Sequence, residues 1–193
     1  MSELNLTARY PYVAVPAAFT AAELDAIEIL GDGLTRSDAS TTVNSGESLV
    51  NRSRVTQTAW VHRTTESNWL YERIERLAQQ LNAQTFRYDL RGFSDNFQYA
   101  VYHGNSGGHY DWHIDMIPQA RGDRKMSISL QLSDPSHYEG CDLQFIAGDG
   151  IETAPRDRGT LIAFPSYIMH RVTPATAGTR KSLVVWAAGP KFR

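Results

Sequence analysis

The chain has 193 residues, 41% hydrophobic and 21% charged, with a formal net charge of -2. That is the range of one globular domain with a full core, and without a run of five like charges it offers no electrostatic footprint for nucleic acid or an anionic membrane. The single cysteine, Cys141, excludes an internal disulfide framework, no stretch of about eighteen apolar residues occurs, and the N-terminus lacks a basic segment followed by an apolar run; the expectation is a cytoplasmic protein without membrane attachment.

In chain order, the first signal is a capping box, Thr20 with Glu23, ahead of Leu24, Ile27 and Leu30 on one helical face; the spacing predicts a helix that stops at Gly31. Residues 35–52, rich in Ser, Thr, Asn and Gly, read as a loop. Val55 to His62 reads as extended. A second helix is expected to start in the Thr64 to Ser67 cluster, with Leu70, Ile74, Leu77 and Leu81 along one stripe. Short strand-like runs then follow at 85–91, 96–103, 125–132, 142–146, 160–164, 168–172 and 180–187. They are punctuated by turns at Gly104 to Gly108, Asp134-Pro135 and Thr173-Pro174. With no repeat or linker, the chain reads as a single domain, 1–193. Residues 1–84 form a helical support region and about 85–190 a core of many short strands, in a sandwich, barrel or jelly roll with the helices covering one sheet.

The run Ser127-Ile128-Ser129-Leu130-Gln131-Leu132 alternates strictly, so its aliphatic residues share one face and Ser127, Ser129 and Gln131 the other. A solvated face and a polar barrel interior both fit that pattern.

His113-Ile114-Asp115 places an imidazole and a carboxylate on one side of an extended segment. These are two of the three donors of a two-His-one-carboxylate facial triad, which leaves adjacent positions open on a metal. Alone, such a pair is a weak motif. His170, in a later strand-like run after Phe164-Pro165-Ser166, is the candidate for the third donor. Ten residues on, period two puts Arg180, Ser182, Val184 and Trp186 on one face. Either Arg180 is a surface arginine, or it points inward, where its guanidinium needs an anion and suits a carboxylate bidentately.

Jointly these residues resemble the iron(II)/2-oxoglutarate-dependent dioxygenases of the prolyl-4-hydroxylase-like group, including PKHD-type hydroxylases. The resemblance spans roughly residues 86–190. It rests on Tyr102 with a Gly-rich turn and Tyr110, His113-x-Asp115, Leu130 to Asp134, Tyr138-Glu139-Gly140, Phe164-Pro165-Ser166, His170 to Pro174, and Gly178-Thr179-Arg180 leading to Trp186. It implies a double-stranded β-helix, a cupin-like jelly roll with N-terminal helices on the major sheet. His113, Asp115 and His170 would be both the catalytic and the metal residues, binding Fe(II), and Arg180 would hold the far carboxylate of 2-oxoglutarate. Tyr102, Gln131, Leu143, Val172 and Trp186 would form the rest of the co-substrate pocket. O2 is the oxidant, succinate and CO2 are released, and ascorbate is a candidate further cofactor.

Gly140-Cys141-Asp142 departs from the usual Gly-Gly before the strand carrying Leu143. Trp186 stands where nucleic-acid-repair relatives carry a second arginine, which argues against that substrate, and the retained Asp115 argues for hydroxylation over halogenation. For the substrate, Arg124, Arg54, Tyr110 and Trp112 are the candidate contacts, with Arg52 and Trp60 nearby in sequence. Three readings stay open: hydroxylation of a prolyl or similar residue in a protein or peptide, hydroxylation of a free amino acid or small metabolite, and a non-catalytic metal-binding jelly roll. Monomer and homodimer are both compatible with the sequence.

Overall fold

The computed structural model describes residues 4–39, 53–116, 118–119 and 122–192. In chain order its elements are β1 (Thr7–Arg9), β2 (Tyr12–Val15), α1 (Ala21–Asp32), β3 (Ser37–Asp38), β4 (Arg54–Val55), β5 (Gln57–Val61), α2 (Asn68–Leu81), β6 (Phe97–His103), β7 (His109–His113), β8 (Pro118–Gln119), β9 (Gly122–Gln131), β10 (Tyr138–Gly140), β11 (Leu143–Ala147), β12 (Gly150–Thr153), β13 (Leu161–Pro165), β14 (His170–Val172) and β15 (Ala175–Gly189). The major sheet runs β1-β2-β13-β9-β15-β6-β5-β3, with β10 also paired to β15 and β8 to β9; the minor sheet runs β12-β11-β14-β7-β4. This is the jelly roll with helices on its major sheet. The N-terminal part also supplies strands: β2 pairs with β13, β5 with β6 and β4 with β7.

Alternation along the central strands builds two cores. Met126, Ile128 and Leu130 of β9, Leu183 and Val185 of β15, and Phe97, Tyr99 and Val101 of β6 face the helices, where they meet Leu24 and Ile27 of α1 and Leu70, Ile74 and Leu77 of α2. The opposite faces look into the roll. Ser127, Ser129 and Gln131 are all buried there, so the polar face is the barrel interior. Tyr102, Leu143, Phe145, Ile162, Phe164 and Val172 form the apolar part of that interior.

Thr20 and Glu23 form the expected capping box: the Thr20 hydroxyl accepts from Glu23 N at 3.3 Å and the Glu23 carboxylate accepts from Thr20 N at 2.8 Å. The helix does not stop at Gly31. It runs to Asp32, and Gly31 is set by packing: a Cβ there would lie 2.5 Å from the Tyr99 ring. The expected extended run from Val55 to His62 divides between the sheets, β4 joining the minor and β5 the major. Residues 85–91 are not a strand. A π-turn, Asn82–Phe86, continues α2, Arg87 is left-handed at φ 57°, and the Asn82 side-chain amide holds both the N–H and the C=O of Tyr88 at 2.8 Å. Phe86, Tyr88 and Leu90 still pack against the helix-side core, so the alternation was real while the backbone partner is a side chain rather than a strand. Of the 35–52 loop, Ser37–Asp38 forms an edge strand on β5, and residues 40–52, Arg52 included, lie outside the described residues.

Candidate active site

His113 ends β7 and His170 begins β14, and the two are cross-strand partners on neighbouring antiparallel strands of the minor sheet. The chain then leaves β7, and the backbone N–H groups of Asp115 and Met116 both donate to Ser166 O at 2.9 Å, which holds the Asp115 side chain against the two imidazoles. Donor atoms of His113, Asp115 and His170 all lie within 4.8 Å of one another. His113 Nε2 is 3.6 Å from Asp115 Oδ1, and His170 Nε2 is 3.5 Å from Asp115 Oδ2. Each Nδ1 faces a backbone carbonyl, Asp111 O at 2.7 Å and Ile168 O at 2.9 Å. That places the ring proton on Nδ1 and turns the Nε2 lone pair to the shared centre.

The electrostatics suit a cation. Burial, and then the neighbouring His170, push the His113 imidazole down to about 4. Burial would raise the Asp115 carboxyl, but His170, His113 and the Ser127 hydroxyl together hold it below the ordinary aspartate value. Neutral imidazole and ionised carboxylate are the forms a metal requires. Ser127 Oγ donates to Asp115 Oδ2 at 2.7 Å and lies 2.9 Å from Ser166 Oγ, so one carboxylate oxygen is engaged by the protein and the other is left for an ion. Two nitrogens and one carboxylate converging from one side fit Fe(II) as a facial triad.

The triad opens on a cavity of about 620 Å³ whose lining includes Tyr102, Tyr110, Leu143, Val172, Arg180 and Trp186. Arg180 is 1% exposed and has no carboxylate within ion-pair reach among the described residues. Its Nε and Nη2 both donate to Gln131 Oε1, at 3.2 and 2.8 Å, and its guanidinium lies 5.5 Å from the Tyr102 ring centre. A cation buried this deeply is destabilising unless an anion meets it. Gln131 itself is not on the cavity wall: its oxygen serves Arg180 and its nitrogen donates to Pro155 O at 3.0 Å, so it acts as the support for the guanidinium. Cys141, at the departure from Gly-Gly, is buried with φ +58°, a left-handed conformation that favours glycine; burial pushes its thiol pKa up, and the positive charge of Arg180 opposes that rise.

The four expected substrate contacts separate. Tyr110 stacks on His113 with ring centres 3.5 Å apart, and Arg54 lies over Tyr110 at 4.4 Å. A register shift lets this happen: the four residues of β7 from Tyr110 to His113 oppose the three of β14 from His170 to Val172, so both rings face inward. Trp112 consequently faces the other way, under the Arg171 guanidinium at 4.5 Å on the outer surface of the minor sheet. Arg124 lines the cavity but is already paired, to Asp95 Oδ2 at 2.8 and 3.2 Å, and stacked over Trp186 at 3.9 Å. Asp95, Ser127 and Ser166 are not among the site residues that the sequence predicts. Ser127 shared the polar face and Ser166 stood in a quoted motif, whereas Asp95 lies in an irregular loop with no periodic signal.

The model of the 2OG-Fe(II) oxygenase superfamily matches residues 97–188. A PKHD-type hydroxylase of Teredinibacter turnerae is 35% identical over 86 residues, covering 42% of this chain and 38% of the relative; another from a Synechococcus species is 38% identical over 80 residues, covering 42% and 36%. The match thus spans under two fifths of these relatives. Among solved structures, a Pseudomonas putida prolyl-4-hydroxylase superposes with a TM-score of 0.70 at 22% identity, covering 92% of each chain. A prolyl hydroxylase from Trichoplax adhaerens, in complex with a hypoxia inducible factor peptide fragment, gives 0.73 at 20%, covering 92% of this chain and 83% of that one. These two share the fold. The superfamily pattern runs from Phe97 to Ala188 through all three triad residues and Arg180, so over this segment the chain is similar to the 2OG-Fe(II) oxygenase superfamily and to PKHD-type hydroxylases.

Proposed function

We propose that this protein is a 2-oxoglutarate-dependent hydroxylase acting on a prolyl or similar residue in a protein or peptide, with His113, Asp115 and His170 holding Fe(II). The observation that carries this reading is the pairing, on one cavity wall, of a donor-ready triad with a buried arginine that has no carboxylate partner among the described residues. Bound iron with 2-oxoglutarate supplies activation of O2 for insertion of one oxygen into a C–H bond, releasing succinate and CO2.

The chain's own part is placement. Ser127 and Ser166 fix the Asp115 carboxylate, and the Asp111 and Ile168 carbonyls fix the imidazoles. Arg180, braced by Gln131, holds the far carboxylate of 2-oxoglutarate beside Tyr102. Leu143, Val172 and Trp186 wall the cavity and exclude water around the reacting centre. No side chain is needed as a general base. Among the described residues no helix is long and apolar enough to cross a membrane, and we place the activity in the cytoplasm with ascorbate as a supporting reductant.

The test is mass spectrometry of proline-containing peptides and of metabolite pools incubated with enzyme, Fe(II), 2-oxoglutarate and O2. A peptide that gains one oxygen atom at proline supports the reading. Gain confined to a free metabolite overturns the peptide assignment, and no gain with no succinate overturns the activity.

A further inference from the structure

Among the described residues, one charge on the cavity wall keeps no counterpart once the site is loaded. Arg124 is neutralised by Asp95, whose Oδ2 takes both its Nε and Nη2, and its guanidinium is flattened against Trp186. It cannot turn to a ligand without breaking the pair. In the loaded site proposed above, the divalent ion, the Asp115 carboxylate, the Arg180 cation and dianionic 2-oxoglutarate cancel. Arg54 is left over.

Arg54 sits on the edge strand β4, cross-strand from Tyr110, and lines the same cavity. Its Nη2 donates to Gln98 Oε1 at 2.9 Å, a neutral acceptor, while its Nε is buried with no hydrogen-bond partner among the described residues. No carboxylate of the described residues pairs with it. Tyr110 carries the guanidinium at 4.4 Å and the His113 imidazole at 3.5 Å, which one ring accommodates only on opposite faces. A group held by Arg54 is therefore separated from the metal ligand His113 by the thickness of one aromatic ring, and the cation is oriented by Gln98 and Tyr110 before any ligand arrives.

We propose that Arg54 is the specificity residue for the substrate and that it binds a carboxylate. This rests on the dioxygenase reading for the location of the reacting centre. The substrate is then an acid whose carboxylate reaches past Tyr110 while its reactive C–H faces the triad. That carboxylate is either the α-carboxylate of a free or C-terminal amino acid or the side chain of an acidic residue beside the target in a peptide. Its fork geometry suits either source bidentately.

The test is binding to the full-length protein loaded with Mn(II) and 2-oxoglutarate, which does not turn over, read as dissociation constants by calorimetry. One arm compares N-acetyl-L-proline with N-acetyl-L-prolinamide; the other compares the C-terminally amidated peptides acetyl-Asp-Pro-Gly and acetyl-Asn-Pro-Gly. The expected result is a preference of about tenfold or more for the acid in one arm, the arm identifying the source. Arg54→Gln removes that preference, and Arg54→Lys, which keeps the charge without the fork, reduces it severalfold. Absence of a preference in both arms overturns the proposal. So does a preference that survives in Arg54→Gln, or an effect of Arg54→Gln on 2-oxoglutarate binding alone. Should Arg54→Gln fail to fold, an undiminished preference in Arg54→Lys overturns it equally. Succinate formation by the unmutated enzyme reports on the dioxygenase reading alone, so the two can fail separately.

Discussion

Replacing Arg180 with methionine separates what the residue does for the fold from what it does for the ligand. Arg180 is 1% exposed and its guanidinium donates to the neutral Gln131 amide oxygen beside the Tyr102 ring, so its removal relieves a desolvation penalty of several kcal/mol, order of magnitude. Against that gain, Gln131 Oε1 loses its donor, at about 1–3 kcal/mol. The two nearly offset, and the ligand-free variant is expected to melt close to the unmutated protein.

Binding behaves differently: truncating one partner of a buried charge pair costs about 2–5 kcal/mol, which is about 30- to 5,000-fold in the dissociation constant for 2-oxoglutarate. The assay is thermal unfolding with Mn(II), with and without 2-oxoglutarate at about 100 times the unmutated protein's dissociation constant, where saturation adds about 2.7 kcal/mol. At about 2–4 °C per kcal/mol for a chain of this size, the unmutated protein rises by about 5–11 °C and the variant by no more than about 3.5 °C. A full ligand-induced rise in Arg180→Met would refute the carboxylate assignment. A collapse of the ligand-free melting temperature would show the arginine to be structural.

Other outcomes follow from the same contacts. Asp115→Ala removes the anionic donor and abolishes both Fe(II) binding and 2-oxoglutarate consumption, measured by calorimetry and succinate assay. Ser127→Ala frees the second Asp115 oxygen and weakens Fe(II) by about 10- to 100-fold while the chain stays folded by circular dichroism; unchanged affinity would remove Ser127 from the account. Gly31→Ala drives a methyl group into the Tyr99 ring and destabilises by about 1–3 kcal/mol in urea unfolding. Asp95→Ala leaves Arg124 buried without its carboxylate and lowers stability, whereas Asp95→Ala with Arg124→Met recovers part of the loss. If the double variant is no better than the single one, the pair matters through packing on Trp186 instead.

Much of this architecture is legible in the sequence because it rests on periodicity. Strict alternation at Ser127 to Leu132 and from Arg180 to Trp186 placed side chains on faces, and the capping box at Thr20 set the start of α1. Periodicity does not say what lies opposite a face, and for that reason the polar face of β9 stayed ambiguous until the minor sheet covered it. It also misled at 85–91, where Phe86, Tyr88 and Leu90 point inward but Asn82, a single side chain, replaces the partner strand. In the site, His113, Asp115, His170 and Arg180 were readable from type and spacing. The outward turn of Trp112 was not, because it depends on a register shift between β7 and β14 that no local pattern encodes. Nor was the neutralisation of Arg124, since Asp95 comes from a loop 29 residues away in the chain.

The most direct measurement of the central claim is conversion of 2-oxoglutarate to succinate by the purified full chain with Fe(II) and O2, run alongside Asp115→Ala. Succinate formed by the unmutated protein, dependent on both iron and O2 and absent from the variant, is the predicted result. Succinate formed equally by Asp115→Ala, or by neither protein across the peptide and metabolite panels, would contradict it.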